Sequence, residues 1–319
     1  MSHTIYSFGI AAEQGEQRLT FFDTQTLAVL HQLTVDFSPL DVTITPNANW
    51  AVVSSVSTPM LSRINLVVEP PVVAGTQTLE GFVQDVDITP NGIFAVAAAD
   101  RLYSYLIAND LIADNLTEGT IALAVSPNGN GLILASNRND AVALETFLID
   151  SNGYLSTLGT VPGSFNFSIT NIAFSANGNH AFVADFSGVT VLDTSDPNNI
   201  TKVGDTVSTN DIPFSFAVSR NGTTVYVLTV TAVDIFSFNA ATGILTLVDS
   251  FQHGLSLGII YIGVDYLGLD ISETRLFVAG AGTLAAFTVT GQLVGSVAGV
   301  NSDAGVALRQ SPVLRGIKW

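Results

Sequence analysis

One phrase recurs along the chain and limits what it can fold into. It reads Asp41-Val-Thr-Ile-Thr-Pro-Asn47, then Asp85-Val-Asp-Ile-Thr-Pro-Asn91, then Ala122-Leu-Ala-Val-Ser-Pro-Asn128. Asn171-Ile-Ala-Phe-Ser-Ala-Asn177 and Ser215-Phe-Ala-Val-Ser-Arg-Asn221 continue it, and Gly268-Leu-Asp-Ile-Ser272 and Gly305-Val-Ala-Leu-Arg309 are degraded copies. Aligned on the first apolar position (Val42, Val86, Leu123, Ile172, Phe216, Leu269, Val306), the copies are 44, 37, 49, 44, 53 and 37 residues apart. A period near 44 in a chain of 319 residues leaves room for seven units. Such a period marks a repeat architecture rather than a string of unrelated domains.

Within each unit, apolar or β-branched residues alternate, so one face of a strand is set for burial. A turn follows, and Asn91-Gly92, Asn128-Gly129, Asn177-Gly178 and Asn221-Gly222 supply residues that tolerate positive φ. A second strand returns (Trp50 to Val53, Phe94 to Ala97, Ala181 to Val183, Val225 to Leu228). A third comes after it (Leu19 to Phe22, Val189 to Leu192, Val233 to Phe236), and a weaker fourth (Leu245 to Phe251). Helical solenoids of similar period need apolar residues at i, i+3 and i+4 over eleven or more positions, and no unit shows them. Four antiparallel strands every ~44 residues predict an all-β, seven-bladed β-propeller in one domain over 1–319. The N-terminal stretch holds only the later strands of a blade and the C-terminal stretch only a first strand. Their union in one blade closes the ring and removes two open edges.

Composition narrows the partners. Lys and Arg total 10 against 27 Asp and Glu, for a formal net charge of −17. Nucleic-acid affinity comes largely from basic groups on phosphates, so a polyanion partner is not expected, nor is an anionic membrane surface. No apolar stretch is long enough to span a bilayer, so membrane insertion is not expected. Zero Cys removes disulfides, thiol catalysis and Cys-held metals. The first residues lack a basic segment followed by an apolar one. The chain as it stands is expected in the cytoplasm, and outside it if a leader has been removed. A monomer is expected.

Further stretches carry a family resemblance. Ile5-Tyr-Ser-Phe8, then Arg18-Leu-Thr-Phe-Phe-Asp-Thr-Gln-Thr-Leu27, then Asp41 to Asn47 resemble the bacterial YVTN-type repeat. Val191-Leu-Asp-Thr194 and Val225-Tyr-Val-Leu-Thr229 match other parts of it. The resemblance spans essentially the whole chain. It implies a seven-bladed, lactonase-like and WD40-like propeller, a group that includes lactone hydrolases, surface proteins and members of unassigned role. There is no Trp-Asp dipeptide of the WD40 kind and no kelch Gly-Gly pair.

In such a ring, ligands are expected at a channel mouth built by loops entering the first strand and joining the second to the third. The repeat places Asp41, Asp85, Asn171, Glu13, Glu16, Asp100, Asn137, Asp140, Asp185 and His253 there, with Arg63, Arg101 and Arg138 at matching sites of successive blades. Arginine forks suit carboxylate or phosphate oxygens, while salt bridges to acidic neighbours account for the pattern about as well. Asp87 and Asp270 fall where other units carry Thr43, Ala124, Ala173, Ala217 and Ala307. A carboxylate at such a tight site either bonds a neighbouring blade's backbone or serves as a base or metal ligand, and the first is favoured. No cofactor is expected. A divalent cation in the channel is conceivable, although no D-x-[DN]-x-[DN]-G loop is present.

Gly254-Leu-Ser-Leu-Gly258 beside His253 matches G-x-S-x-G, but a nucleophile elbow needs a strand, turn and helix that this loop lacks. His31 and His180 have no metal-ligand spacing. Matches to N-x-[ST] at Asn115, Asn166, Asn199 and Asn221 matter only in a glycosylating route. Two functions follow as expectations. One is a non-enzymatic scaffold that takes a protein, glycan or small ligand at the mouth. The other is a lactonase-like hydrolase, with the arginines on substrate and His253 or a carboxylate assisting water.

Overall fold

The computed structural model describes residues 7–140, 143–162, 165, 168–257, 263–270, 272–280, 282–301 and 305–308. These form seven four-stranded antiparallel sheets arranged as a ring. The only helical element among them is a 3-10 turn, Ile107–Asn109. Blade one runs from its inner strand outward as Val306–Leu308, Phe8–Glu13, Arg18–Asp23 and Val29–Thr34, so the two ends of the chain share it. Closure is held by antiparallel pairing of Gly9 with Leu308, Ile10 with Ala307 and Ala11 with Val306.

The inner strands of blades two to seven are Pro39–Ile44, Asp85–Ile88, Thr120–Val125, Ile169–Phe174, Pro213–Val218 and Leu267–Leu269. Each is followed by the repeated turn, whose chemistry is local. In blade two the Thr45 hydroxyl accepts the Trp50 N–H (3.1 Å) and donates to Asn47 Oδ1 (2.9 Å), and that oxygen accepts the Asn49 N–H (3.0 Å). The same pair of bonds recurs from Ser219 to Thr224 N–H and to Asn221 Oδ1. In these turns a local hydroxyl and the Asn side chain satisfy backbone N–H groups without a distant partner.

This chemistry corrects one sequence expectation. In blade seven Asp270 accepts the Arg275 N–H five residues on, as Thr45 does with Trp50. Asp270 is therefore a turn residue, and Leu267, paired with Val278, stands where Val42 pairs with Val53. The alignment on Leu269 was two residues too far along because the degraded copy lacks Pro and Asn.

Sheets pack face to face through buried aromatic and aliphatic side chains. Phe22 meets Phe277 across blades one and seven (centroids 5.2 Å), and Phe182 meets Phe238 edge-on across blades five and six (4.9 Å). Middle strands such as Trp50–Ser55 and His180–Asp185 are buried for nearly their whole length, which is why they read as continuous apolar runs.

Candidate functional site: a carboxylate-lined central channel

The three arginines singled out by spacing do not converge. Arg63 lies within the third strand of blade two, opposite Val52 and Gly75. Its guanidinium rests on the Trp50 ring (4.9 Å) and donates to the carbonyls of Ile107 (2.7 Å) and Ala108 (2.5 Å) in blade three. It clamps two blades together rather than facing a mouth. Arg101 pairs with Glu80 (2.8 Å) and Arg138 with Asp100 (3.2 Å), both on the exposed rim. All three are therefore engaged in structural contacts, Arg63 from a strand and Arg101 and Arg138 from loops.

Other expected site residues also have local partners. His253 accepts the Leu255 N–H at Nδ1 (3.1 Å), so Nε2 carries the proton toward the Thr229 carbonyl (3.2 Å). Burial holds its imidazole below the ordinary histidine range. Asp185 accepts the Ser187 N–H (2.7 Å) in a tight turn. Asp270 takes the N–H groups of Thr274 and Arg275 and bonds Ser272 and Gln25 of blade one. Ser256 is exposed, and Gly258 of the G-x-S-x-G match lies outside the described residues, as do Ile5, Tyr6, Asn166 and Arg309. Glu13 is fully buried and forms a bidentate pair with Arg18 (3.0 and 2.6 Å), joined by the Thr20 hydroxyl and the Asn301 N–H.

Asp41, Asp85 and Asp87 meet at the ring axis, whereas Glu16 and Asp140 are exposed. Asp41 accepts the Val86 N–H (3.1 Å), Asp85 the Leu123 N–H (2.7 Å), and Asp87 the Val125 N–H (2.8 Å). Each carboxyl thus bonds the inner strand of the next blade. Asp265, which no sequence motif indicated, joins them from the segment before blade seven, and its N–H reaches Asp41 Oδ1 (3.4 Å). Its side chain is enclosed by the ring yet stands exposed to the channel space. The missed signal was the turn chemistry of Asp270, which sets the register and brings Asp265 to the axis.

Backbone at Gly263 crosses the end of the channel where a mouth was expected. Gly263 donates to the Thr170 carbonyl (2.9 Å) and accepts from Asn171 Nδ2 (3.2 Å). A Cβ on Gly263 would lie 2.9 Å from both the Asp85 side chain and the Ile121 carbonyl, so backbone fills that end. The cavity of ≈ 440 Å³ instead reaches the opposite end, between the exposed Pro127, Ala176 and Arg220 of the first-to-second strand turns. An adjoining cavity of ≈ 220 Å³ shares Asp87, Phe216, Val218 and Asp265 with it.

Charge crowding governs the chemistry there. Burial, then the Asp265 carboxylate, pushes Asp41 well above the usual aspartate range, and burial with Asp41, Asp265 and Asp87 does the same to Asp85. Burial raises Asp87 against its two N–H bonds. Burial and the Asp87 charge raise Asp265 to about 7, against a hydrogen bond with Asn171. Asp265, raised to about 7, is in part protonated near neutrality and ionises when a cation arrives. Among the described residues no three Asp, Glu or His side chains converge tightly enough to hold one metal ion.

A solved structure of a functionally unknown protein from Desulfotomaculum acetoxidans is 36% identical, covering 94% of this chain and 98% of that one with a TM-score of 0.88. The chain belongs to the same family as that protein. No family model matches it, and neither does any curated protein. More distant likenesses show the fold alone. A putative 6-phosphogluconolactonase from Bacteroides uniformis shares 16% identity over 96% of this chain and 100% of that one (TM-score 0.75). A periplasmic gluconolactonase from Pseudomonas aeruginosa shares 14% over 95% and 98% (TM-score 0.72). With them this chain shares the propeller fold, and among the described residues no helix is long and apolar enough to cross a membrane.

Proposed function

We propose that this chain is a non-enzymatic binding propeller, built from YVTN-type repeats, that takes a small ligand into its central channel from the Arg220 end. One observation carries the reading. Asp265 stands accessible inside an enclosed cavity walled by Phe174 and Phe216, while His253, Asp185 and Asp270 are occupied by backbone bonds. A concave pocket in which a few polar groups converge is the usual form of a ligand site.

A thermal-shift screen against sugar lactones, sugar phosphates, amines and divalent salts tests it. A ligand at about 100 times its Kd adds about 2.7 kcal/mol to the folded state and raises Tm. The shift is expected to persist in Arg101→Ala and to shrink in Asp265→Asn. A flat response to every class contradicts the reading.

Lactone hydrolysis is the second reading, favoured by one feature. Asp265, raised to about 7, is matched to proton abstraction from water at neutral pH. Hydrolysis of glucono-δ-lactone above the buffer rate, lost in Asp265→Asn, would establish it. A rate equal to buffer removes it.

A further inference from the structure

We propose that the channel binds a small organic cation, with a primary ammonium group seated against Asp265 and Asp87 and its carbon chain along Phe174 and Phe216. The inference rests on the binding reading above and adds the ligand class to it.

Four carboxyls approach one another on the axis, and Arg220, at the open end, is the only Lys or Arg in the cavity wall among the described residues. Asp41 and Asp85 are buried behind the pair, while Asp87 is half-exposed and Asp265 exposed to the channel space. A second feature points to a donor-bearing ligand independently of charge. Asn171, 2% exposed, sits beside Asp265, and its Oδ1 has no hydrogen-bond partner. A buried acceptor left without a donor is costly, so an N–H group seated on Asp265 has an unmet acceptor next to its site.

The spacing selects among cations. Because no three carboxylates among the described residues converge on one point, a bare metal ion would lack its ligand set there. An ammonium group spreads three N–H donors over separated acceptors, and its alkyl chain is compatible with the apolar wall. Aromatic faces add a cation-attracting quadrupole. The ≈ 440 Å³ of space accommodates a short diamine. Since Asp265 is raised to about 7, an ammonium seated against it expels its proton, and affinity rises as pH passes upward through that value.

Isothermal titration of the full chain with putrescine, run in phosphate and in Tris at one pH, tests this. Saturable binding is expected, with a heat that differs between buffers because protons are released. Asp265→Asn is expected to weaken it about tenfold or more, which is 1.4 kcal/mol or more, while rim variant Glu80→Gln leaves it unchanged. Asp265→Asn removes a crowded charge, so its Tm should equal or exceed that of the parent and report an intact fold. Equal binding by Asp265→Asn and the parent would mean attraction to the acidic surface and would overturn the proposal. If glucono-δ-lactone or calcium chloride binds and putrescine does not, the ligand class falls and the binding reading survives. If none binds, both fall.

Discussion

At the scale of single residues, the turns separate conformational strain from crowding. Gly129 adopts φ 79° with nothing within 4 Å of where a Cβ would lie, whereas Gly178 at φ 70° would place one 2.6 Å from Ser126 Oγ. Gly129→Ala is expected to cost about 1 kcal/mol, the left-handed penalty alone. Gly178→Ala adds a clash and should cost about twice that. Urea denaturation of both variants checks the ordering, and equal losses would contradict it. Glu13 offers a second test. Burial pushes it up, yet Arg18, Thr20 and Asn301 together hold its carboxyl below the ordinary glutamate range. Its contribution is therefore present above the unfolded value and is lost as pH falls through the folded one. Glu13→Gln leaves Arg18 half-paired beside the Gly299 carbonyl and is expected to cost about 3 kcal/mol by the same denaturation assay.

At the scale of elements, neighbouring blades are joined by side chains that reach across to backbone. Arg63 spans from blade two to the 3-10 turn of blade three, and Asp41, Asp85 and Asp87 each cap the next inner strand. Arg63→Ala removes two charge-assisted bonds and a stacked ring, and should lower stability by about 2 kcal/mol, while Arg63→Lys recovers only part because an ammonium cannot fork. Full recovery by lysine would contradict the clamp. Strands and first turns were legible from sequence because alternation and Asn-Gly are local signals. Blade-to-blade bonds were not, because spacing along the chain says nothing about which way Arg63 projects. The same limit put Asp270 on the axis. A copy without Pro-Asn has no anchor for its register, and only the bond from Asp270 to the Arg275 N–H reveals the two-residue slip.

At the scale of the whole molecule, the ring brings together charges that are remote in sequence. Asp41, Asp85, Asp87 and Asp265 all have raised folded-state values, with Arg220 the only cation in the channel wall among the described residues. Groups raised in this way stabilise the fold at low pH, and the Asp265 contribution is lost as pH rises from about 4 through about 7. Glu13 works in the opposite sense below its ordinary range, so stability should peak in mildly acid solution. The urea midpoint is expected to fall between pH 5.5 and pH 8, and Asp265→Asn should flatten that fall. Four carboxyls thus share the axis with a single Lys or Arg, Arg220, in the cavity wall among the described residues. A carboxyl-carbon NMR titration of the ligand-free protein tests this crowding most directly. The predicted result is Asp265 titrating at about 7, with Asp85 and Asp41 also well above ordinary aspartates and rim residue Asp193 below them. Four channel aspartates titrating at or below 4 would contradict it.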